Sequence, residues 1–251
     1  MKVAVAGLGL IGGSFYKASL KAGYETVGLH HGDATGCEDA DLVVVAQPPE
    51  AIVPWIKAHA AQFKPGAIVL DICGVKEEIC KEMAAVKGGF TFVGASMIIT
   101  PFDGTSDATL DVLKDYFKSI GFAMTLVTTP RRHDEMIAFT SQLCHIISTA
   151  FARDERVAES IGFSAGSYAD MTRIATQNPD DWSSLYHTNK AALLKVLDGF
   201  INRMSAFRTA LAEDDIDGMK RFINEGSAAK KAELAKRKTI LPRGDEPYRR
   251  G

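Results

Sequence analysis

Three glycines near the start of the chain, Gly7-x-Gly9-x-x-Gly12, have the spacing that lets a backbone hold a phosphate. An apolar run beginning at Lys2 leads into them, and a helical pattern (Phe15, Ala18, Leu20) leads out. In such a strand–turn–helix unit the first glycine permits the tight turn and the second lets the backbone approach a pyrophosphate. The third lets the helix pack close to the strand. The anion then rests on free N–H groups at the helix N-terminus. Gly7, Leu8, Gly9, Leu10, Ile11 and Gly12 are therefore the expected cofactor-binding turn, for NAD or NADP. The plain alternative is an ordinary glycine-rich connection.

Other side chains bring chemistry of their own. Arg173 offers a planar fork suited to a carboxylate; its alternative is a structural ion pair with Asp170 or Asp180. His145 follows Ser141 by four residues on a helical stretch, so the two share a face; a satisfied core histidine is the alternative. His133-Asp134 opens that stretch, where Asp134 suits the positive end of the helix dipole and reads as a cap or as a catalytic group. Lys76 reads as a cofactor or sheet-rim residue, or as a surface lysine. Met136, Phe139 and Ile146 read as core. Cys37, Cys73, Cys80 and Cys144 form no CxxC pair and no metal-ligand spacing, so reduced thiols and no metal are expected.

The elements that must position these groups alternate between strand and helix through residue 127, which argues for a parallel α/β sheet. Thr26–Leu29 is a short second strand ending in His30-His31, where NAD-binding units usually carry an acid for the ribose hydroxyls. Without an acid nothing there repels a 2′-phosphate, so NADP is allowed. Leu42–Ala46 is a third strand ending in Gln47-Pro48-Pro49, and a helix fits Ala51–Phe63. Ala67–Asp71 is the next strand, with Cys73-Gly74-Val75-Lys76 as its exit loop. Ligands of such sheets lie beyond the carboxyl ends of the strands. His30, Gln47, Pro48, Gly74 and Lys76 thus join the glycine turn on one rim as expected cofactor neighbours.

Phe90–Val93 and Met97–Thr100 read as strands, Leu110–Ile120 as a helix and Phe122–Val127 as a last strand. Two joints are too short for a parallel crossover, which needs about a dozen residues with its helix. His30–Asp41 has no packed-helix pattern, and Gly94-Ala95-Ser96 permits only a hairpin. They imply a trimmed sheet or loop residues absent from the chain. From His133 the period is helical: Met136–Phe151, Met171–Thr176, Trp182–Leu211 and Asp217–Arg237. The expected domains are 1–130, binding a dinucleotide, and 131–239, all helical, with 240–251 as a tail.

The 251 residues are 46% hydrophobic and 24% charged with a formal charge of -2, which fits a two-domain globular protein and gives no reason to invoke nucleic acid. No apolar run approaches the ~20 residues that span a bilayer. The first residues read as strand rather than signal peptide, and a cytoplasmic location is expected. Helices with apolar faces and no sheet of their own predict a homodimer through Trp182–Leu211 and neighbouring helices.

Several stretches together resemble the prephenate dehydrogenases of tyrosine biosynthesis. Gly7–Ser14 is similar to that family's cofactor loop, and Asp71-Ile72-Cys73-Gly74-Val75-Lys76 to its Asp-x-x-[Ser/Gly]-Val-Lys loop. His133-Asp134 and Thr140-Ser141-Gln142-Leu143-Cys144-His145 resemble its His-Asp … Ser-His-Leu-Pro-His helix, with Gln142 and Cys144 as departures. Gly166–Ala175 resembles its Gly-[Phe/Tyr]-x-Asp-x-Thr-Arg-[Ile/Val]-Ala segment, and Trp182 and Asn189-Lys190-x-x-Leu193-Leu194 follow as they do there. The resemblance implies a Rossmann-type parallel sheet followed by an all-α domain. It implies NAD(P)-dependent oxidative decarboxylation of prephenate, or of its transaminated form arogenate. It implies that Ser141, Gln142, His145 and Arg173 face substrate. The family's catalytic histidine lies in a His-Pro-Met-x-Gly segment after the strand matching Phe90–Val93. This chain passes instead from Gly94 to Ala95-Ser96-Met97, so its catalytic residue is unknown. If the absence is genuine, the chain keeps a binding scaffold without its base, and a nucleotide-binding regulator becomes an alternative. Another alternative is a different two-domain dehydrogenase or reductase. Those generally place a lysine or aspartate where this chain has Ser141, Gln142 and His145.

Overall fold

The computed structural model describes residues 1–30, 32–95 and 98–240. His31, Ser96, Met97 and the expected tail beyond Ile240 lie outside the described residues.

Short, almost uninterrupted apolar runs make the strands, as expected where both faces of a parallel sheet are covered. They are β1 (Lys2–Ala6), β2 (Glu25–Leu29), β3 (Leu42–Val45), β4 (Ile68–Asp71), β5 (Thr91–Ala95), β6 (Ile98–Pro101) and β7 (Leu126–Val127). They lie in the order β2-β1-β3-β4-β5-β6-β7. Every neighbouring pair is parallel except β5 and β6, which run antiparallel with Gly94 opposite Thr100. Leu42–Val45 are wholly buried, because alternate side chains feed two separate cores, one on each face of the sheet.

Helices α1 (Leu10–Lys21) and α4 (Asp107–Ser119) cover one face; α2 (Pro49–His59) and α3 (Glu77–Met83) cover the other. On the first face Phe15, Tyr116, Phe117 and Phe122 pack as aromatic neighbours, and the Tyr116 hydroxyl reaches Ser19 at 2.8 Å. Pro49 starts α2 and Ser106 caps α4 through the Thr109 amide, both ordinary helix starts.

The strands on either side of the short joint, β5 and β6, run antiparallel, the direction that its length allows. The joint between β2 and β3 has no helix, yet it packs, which its composition did not announce. Ala34, Cys37 and Ala40, three residues apart, are at most 4% exposed and lie on the sheet in successive turns closed by Cys37 N–H to Ala34 and Ala40 N–H to Cys37. Small side chains at that spacing can cover a strand where a full helix has no room.

The chain divides into two compact units, Met1–Leu194 and Lys195–Gly251. The first holds the sheet together with α5 (Pro130–Ile137), α6 (Leu143–Ala152), α7 (Gly166–Thr172) and α8 (Pro179–Thr188), and the start of α9 (Lys190–Ala212). The second holds the rest of α9 and α10 (Ile216–Ile240), joined by contact of Phe207 with Phe222 at 5.0 Å between ring centroids. Residues 138–142 between α5 and α6 form a single π turn, so helix runs from Pro130 to Ala152 with one residue wound in extra. The stretch Trp182–Leu211, expected as one helix, breaks at Asn189, where α8 ends and α9 begins. Met136 and Phe139, expected as core, are 37% and 53% exposed: this face of the helix turns away from the sheet. No helix among the described residues is long and apolar enough to cross a membrane.

Candidate functional site

At the carboxyl end of β1 the chain turns through Gly7, whose φ of +97° is open to glycine and strained for other residues. A Cβ on Gly7 would strike the Ala46 carbonyl, and one on Gly12 would strike the Gly7 carbonyl and lie 2.7 Å from the Ala46 side chain. Gly9 differs: a Cβ there would meet nothing within 4 Å. Two of the glycines are thus needed for packing, while the middle one leaves an open face. The N–H groups of Leu10 and Ile11 open α1 without any side-chain cap, and their side chains are 90% and 59% exposed. Leu8 turns inward over Gly28.

At the end of neighbouring β3, Gln47 holds its Nε2 buried without a hydrogen-bond partner, 3.2 Å from where a Gly7 Cβ would stand. A buried unpartnered amide beside an open helix N-terminus fits an anionic group such as a pyrophosphate. Pro48 is exposed on the same rim, and His30 is exposed at the end of β2. His31 lies outside the described residues.

At the end of β4, the next strand along the rim after β3, stands a buried charged cluster. The Asp71 and Lys76 side chains are both wholly buried, with Nζ 2.8 Å from Oδ2 and 3.1 Å from the Asp71 carbonyl. Burial pushes the Asp71 carboxyl above its ordinary range, against the pull of the Lys76 ammonium and the Cys73 amide. Lys76 is thus the sheet-rim residue that the sequence suggested, but its ammonium is turned inward, away from solvent and from a cofactor on the rim, which corrects the surface and cofactor readings. The strand-end carboxylate five residues before it, read in the sequence only as part of the Asp-x-x-Gly-x-Lys loop, captures its ammonium. Gly94 closes over the pair; a Cβ there would come 2.5 Å from Thr100 Oγ1 and 2.9 Å from Lys76 Cδ.

Asp134 is also placed differently from expectation. Thr129, not Asp134, caps α5. The Asp134 carboxylate instead accepts from the backbone amides of Lys76 (2.8 and 3.0 Å) and Glu77 (2.8 Å), and so caps α3. It also accepts from His133 Nδ1–H at 2.7 Å. The two residues are 4% and 2% exposed.

Helix α8 sits on this rim. Leu185 lies against Gly74, and Ser184 donates to Glu50 at the start of α2 (2.7 Å). The same helix presents Trp182, whose ring stacks on His145 at 3.9 Å. His145 Nδ1–H donates to the Ser141 carbonyl at 3.0 Å, which leaves Nε2 as an acceptor. Gln177 ties this side together: its Nε2 donates to the His145 carbonyl and to Thr149, and its Oε1 accepts from Tyr186. Beside them Ile146, Thr149, Arg153, Trp182 and Tyr186 line a groove of about 380 Å³.

Arg173 ends α7, exposed, with no carboxylate within 4.0 Å among the described residues. The ion pair with Asp170 or Asp180 is absent, and among the described residues its guanidinium has no hydrogen-bond partner. Gln142 is 2% exposed, with Oε1 accepting from Asn189 (2.8 Å) and Nε2 donating to the Leu185 carbonyl (3.2 Å). Its amide is spent inside the protein, which removes it from substrate contact. Asn189 and Asp71 were not singled out as site residues. Their only sequence signals were the Asp-x-x-Gly-x-Lys spacing and the Asn-Lys pair. No group of three or more metal-ligating side chains occurs among the described residues.

The family model described as the prephenate dehydrogenase nucleotide-binding domain matches residues 15–117, and that described as the prephenate dehydrogenase dimerization domain matches residues 129–225. The chain is 29% identical to a cyclohexadienyl dehydrogenase of Zymomonas mobilis over 280 aligned positions, covering 92% of this chain and 95% of that one. It is 23% identical to a prephenate dehydrogenase of Bacillus subtilis over 271, covering 88% and 72%. Both alignments are longer than the chain itself, so these relatives carry residues that this chain lacks. In fold it is similar to the prephenate dehydrogenase of Aquifex aeolicus solved with hydroxyphenyl propionate and NAD+ (TM-score 0.76, 19% identity, covering 93% and 98%). It is likewise similar to Synechocystis arogenate dehydrogenase (TM-score 0.73, 20% identity, covering 93% and 100%). Two models of one family, matched in order along most of the chain on a sheet with an open glycine turn, lead to one assignment: the chain belongs to the prephenate dehydrogenase family of oxidoreductases.

Proposed function

We propose that the protein oxidises and decarboxylates prephenate to 4-hydroxyphenylpyruvate in tyrosine biosynthesis, with arogenate as the alternative substrate. The observation that carries this is the seating of α8 on the sheet rim, through Leu185 on Gly74 and Ser184 on Glu50. It brings the His145–Trp182 pair to the rim that carries the glycine turn.

The nicotinamide dinucleotide, when bound, supplies the hydride acceptor. Residues 7–12 hold its pyrophosphate, and the Gln47 amide supplies a donor beside them. His30 places no carboxylate against a 2′-phosphate, so NADP is allowed beside NAD. Arg173 holds a substrate carboxylate by a charge-assisted, two-pronged contact. Trp182 shields the site from water on the side of His145, and the His145 Nε2 lone pair takes the substrate hydroxyl proton. Loss of CO2 then aromatises the ring. The functional protein is a homodimer paired through its helical half, residues 131–239 forming the substrate and dimerisation domain.

One observation favours a second reading, a dinucleotide-binding protein without turnover. Only two residues separate β5 from β6, where the family's histidine segment would enter. Titration with NADH and NADPH, followed by assay of prephenate- and arogenate-dependent NAD and NADP reduction, separates the two. Binding with turnover supports the first reading; binding without turnover supports the second. If the first holds, Arg173→Lys raises the substrate KM about ten- to a hundredfold and leaves the cofactor KM unchanged, because an ammonium cannot reproduce the fork. A normal substrate KM would remove Arg173 from the site.

A further inference from the structure

Asn189 stands at the break between α8 and α9, 5% exposed, with its side chain turned into the protein. Its Nδ2 donates twice, to the Asp134 carbonyl at 3.0 Å and to Gln142 Oε1 at 2.8 Å. Asp134 belongs to α5 and Gln142 is the last residue of the π turn, so one amide group reaches from the helix before the widened turn to its far end. An extra residue in a helix rotates everything after it, and π turns of this kind are frequent at functional sites. The rotation here decides where His145 points, three residues past Gln142. Gln142 Nε2 in turn donates to the Leu185 carbonyl, on the helix that holds Trp182. From Asp134 the connection continues through its carboxylate to the Lys76 and Glu77 amides, and from Lys76 to Asp71 at the rim. Gln142, Asn189, Asp134, Lys76 and Asp71 are all at most 5% exposed. The Asn189 Nδ2, the Gln142 amide, the Asp134 and Asp71 carboxylates and the Lys76 ammonium are bonded to one another or to neighbouring backbone, which turns them away from substrate.

We propose that Asn189 is a positioning residue: it sets the turn of the helix carrying Ser141 and His145 against the exit loop of β4, and so holds the substrate side of the site in register with the cofactor side. For the reaction it rests on the dehydrogenase reading above; the register itself does not. Removing both donations leaves Gln142 Oε1 unpaired in a buried space and the Asp134 carbonyl with the Ala138 amide alone, and the π turn is free to slip. A displacement of about 1 Å at a reacting centre can cost roughly a hundredfold in rate.

The test compares the full-length wild type with Asn189→Ala and with Asn189→Asp, which keeps the shape but presents oxygens where donors are needed. Thr188→Val is the control: it loosens the same helix end, where Thr188 Oγ1 bonds the Ser184 carbonyl, and leaves the relay intact. Two quantities are read: kcat against both KM values, and hydrogen exchange of the Lys76 and Glu77 amides at the far end of the relay. Both Asn189 variants are expected to lose about tenfold or more in kcat with the cofactor KM within about twofold, and to exchange faster at Lys76 and Glu77. Thr188→Val changes neither. A lowered melting temperature with normal kcat, or a kcat loss without faster exchange at Lys76 and Glu77, overturns the proposal. If the wild type itself shows no turnover, the dehydrogenase reading fails separately. Exchange then decides: faster exchange upholds the register role, and unchanged exchange overturns it. Asn189→Asp decides where Asn189→Ala does not fold, and failure of both while Thr188→Val folds makes Asn189 a folding residue and overturns the proposal.

Discussion

A lysine with no exposed atom is held in the native state only by its partner. Lys76 has Asp71 at 2.8 Å, and that carboxylate's other donor is the Cys73 amide. Replacing such a pair by apolar groups can be nearly neutral, whereas removing one member strands the other. Lys76→Met is therefore expected to destabilise the fold by about 3–5 kcal/mol near neutral pH. The pH dependence has a definite sign. Burial already raises the Asp71 carboxyl, and loss of the ammonium raises it further. The native variant then keeps a proton that the unfolded chain releases near pH 4. Where the native state binds more protons, stability falls as pH rises. The defect of Lys76→Met should be smallest near pH 4–5 and grow toward neutrality, as thermal melts across that range will show; a defect independent of pH would mean that Asp71 finds another cation.

At the scale of elements, the glycine turn shows why part of the site was legible in the sequence. Its geometry depends on local backbone, so Gly7 and Gly12 announce themselves by spacing, and the structure finds carbonyls where their Cβ atoms would go. Gly9 separates folding from binding. Gly9→Ala should fold normally, since its methyl enters open space, and should weaken NADH binding by about tenfold, ~1.4 kcal/mol. Gly12→Ala should lose stability first, because its methyl strikes the Gly7 backbone. Fluorescence titration beside melting curves for the two variants checks this, and equal binding by Gly9→Ala and wild type would remove the phosphate-turn reading. The Asp71–Lys76 pair, the capping of α3 by Asp134, and the commitment of Gln142 to Asn189 were not legible. Each joins residues 5 to 58 positions apart through side-chain contacts that no local period encodes. The π turn was hidden for a related reason: a helical period read over 136–151 does not register one extra residue.

For the whole molecule, the second unit leaves Ile201, Met204, Leu211, Ile216 and Ile223 50–58% exposed. Apolar surface of that extent on paired helices is expected to be covered by a second copy. Light scattering at micromolar protein should return the mass of a dimer; a stable monomer would contradict it. The account's central claim is that an open glycine turn and a rim-seated His145–Trp182 pair make a working dehydrogenase, although β5 and β6 are joined so tightly. The most direct measurement is the initial rate of NAD and NADP reduction with prephenate and with arogenate, using wild type and Gly9→Ala side by side. The account predicts substrate-dependent reduction by the wild type with at least one cofactor, and a strong loss in Gly9→Ala. Tight NADH or NADPH binding with no reduction on either substrate would contradict it.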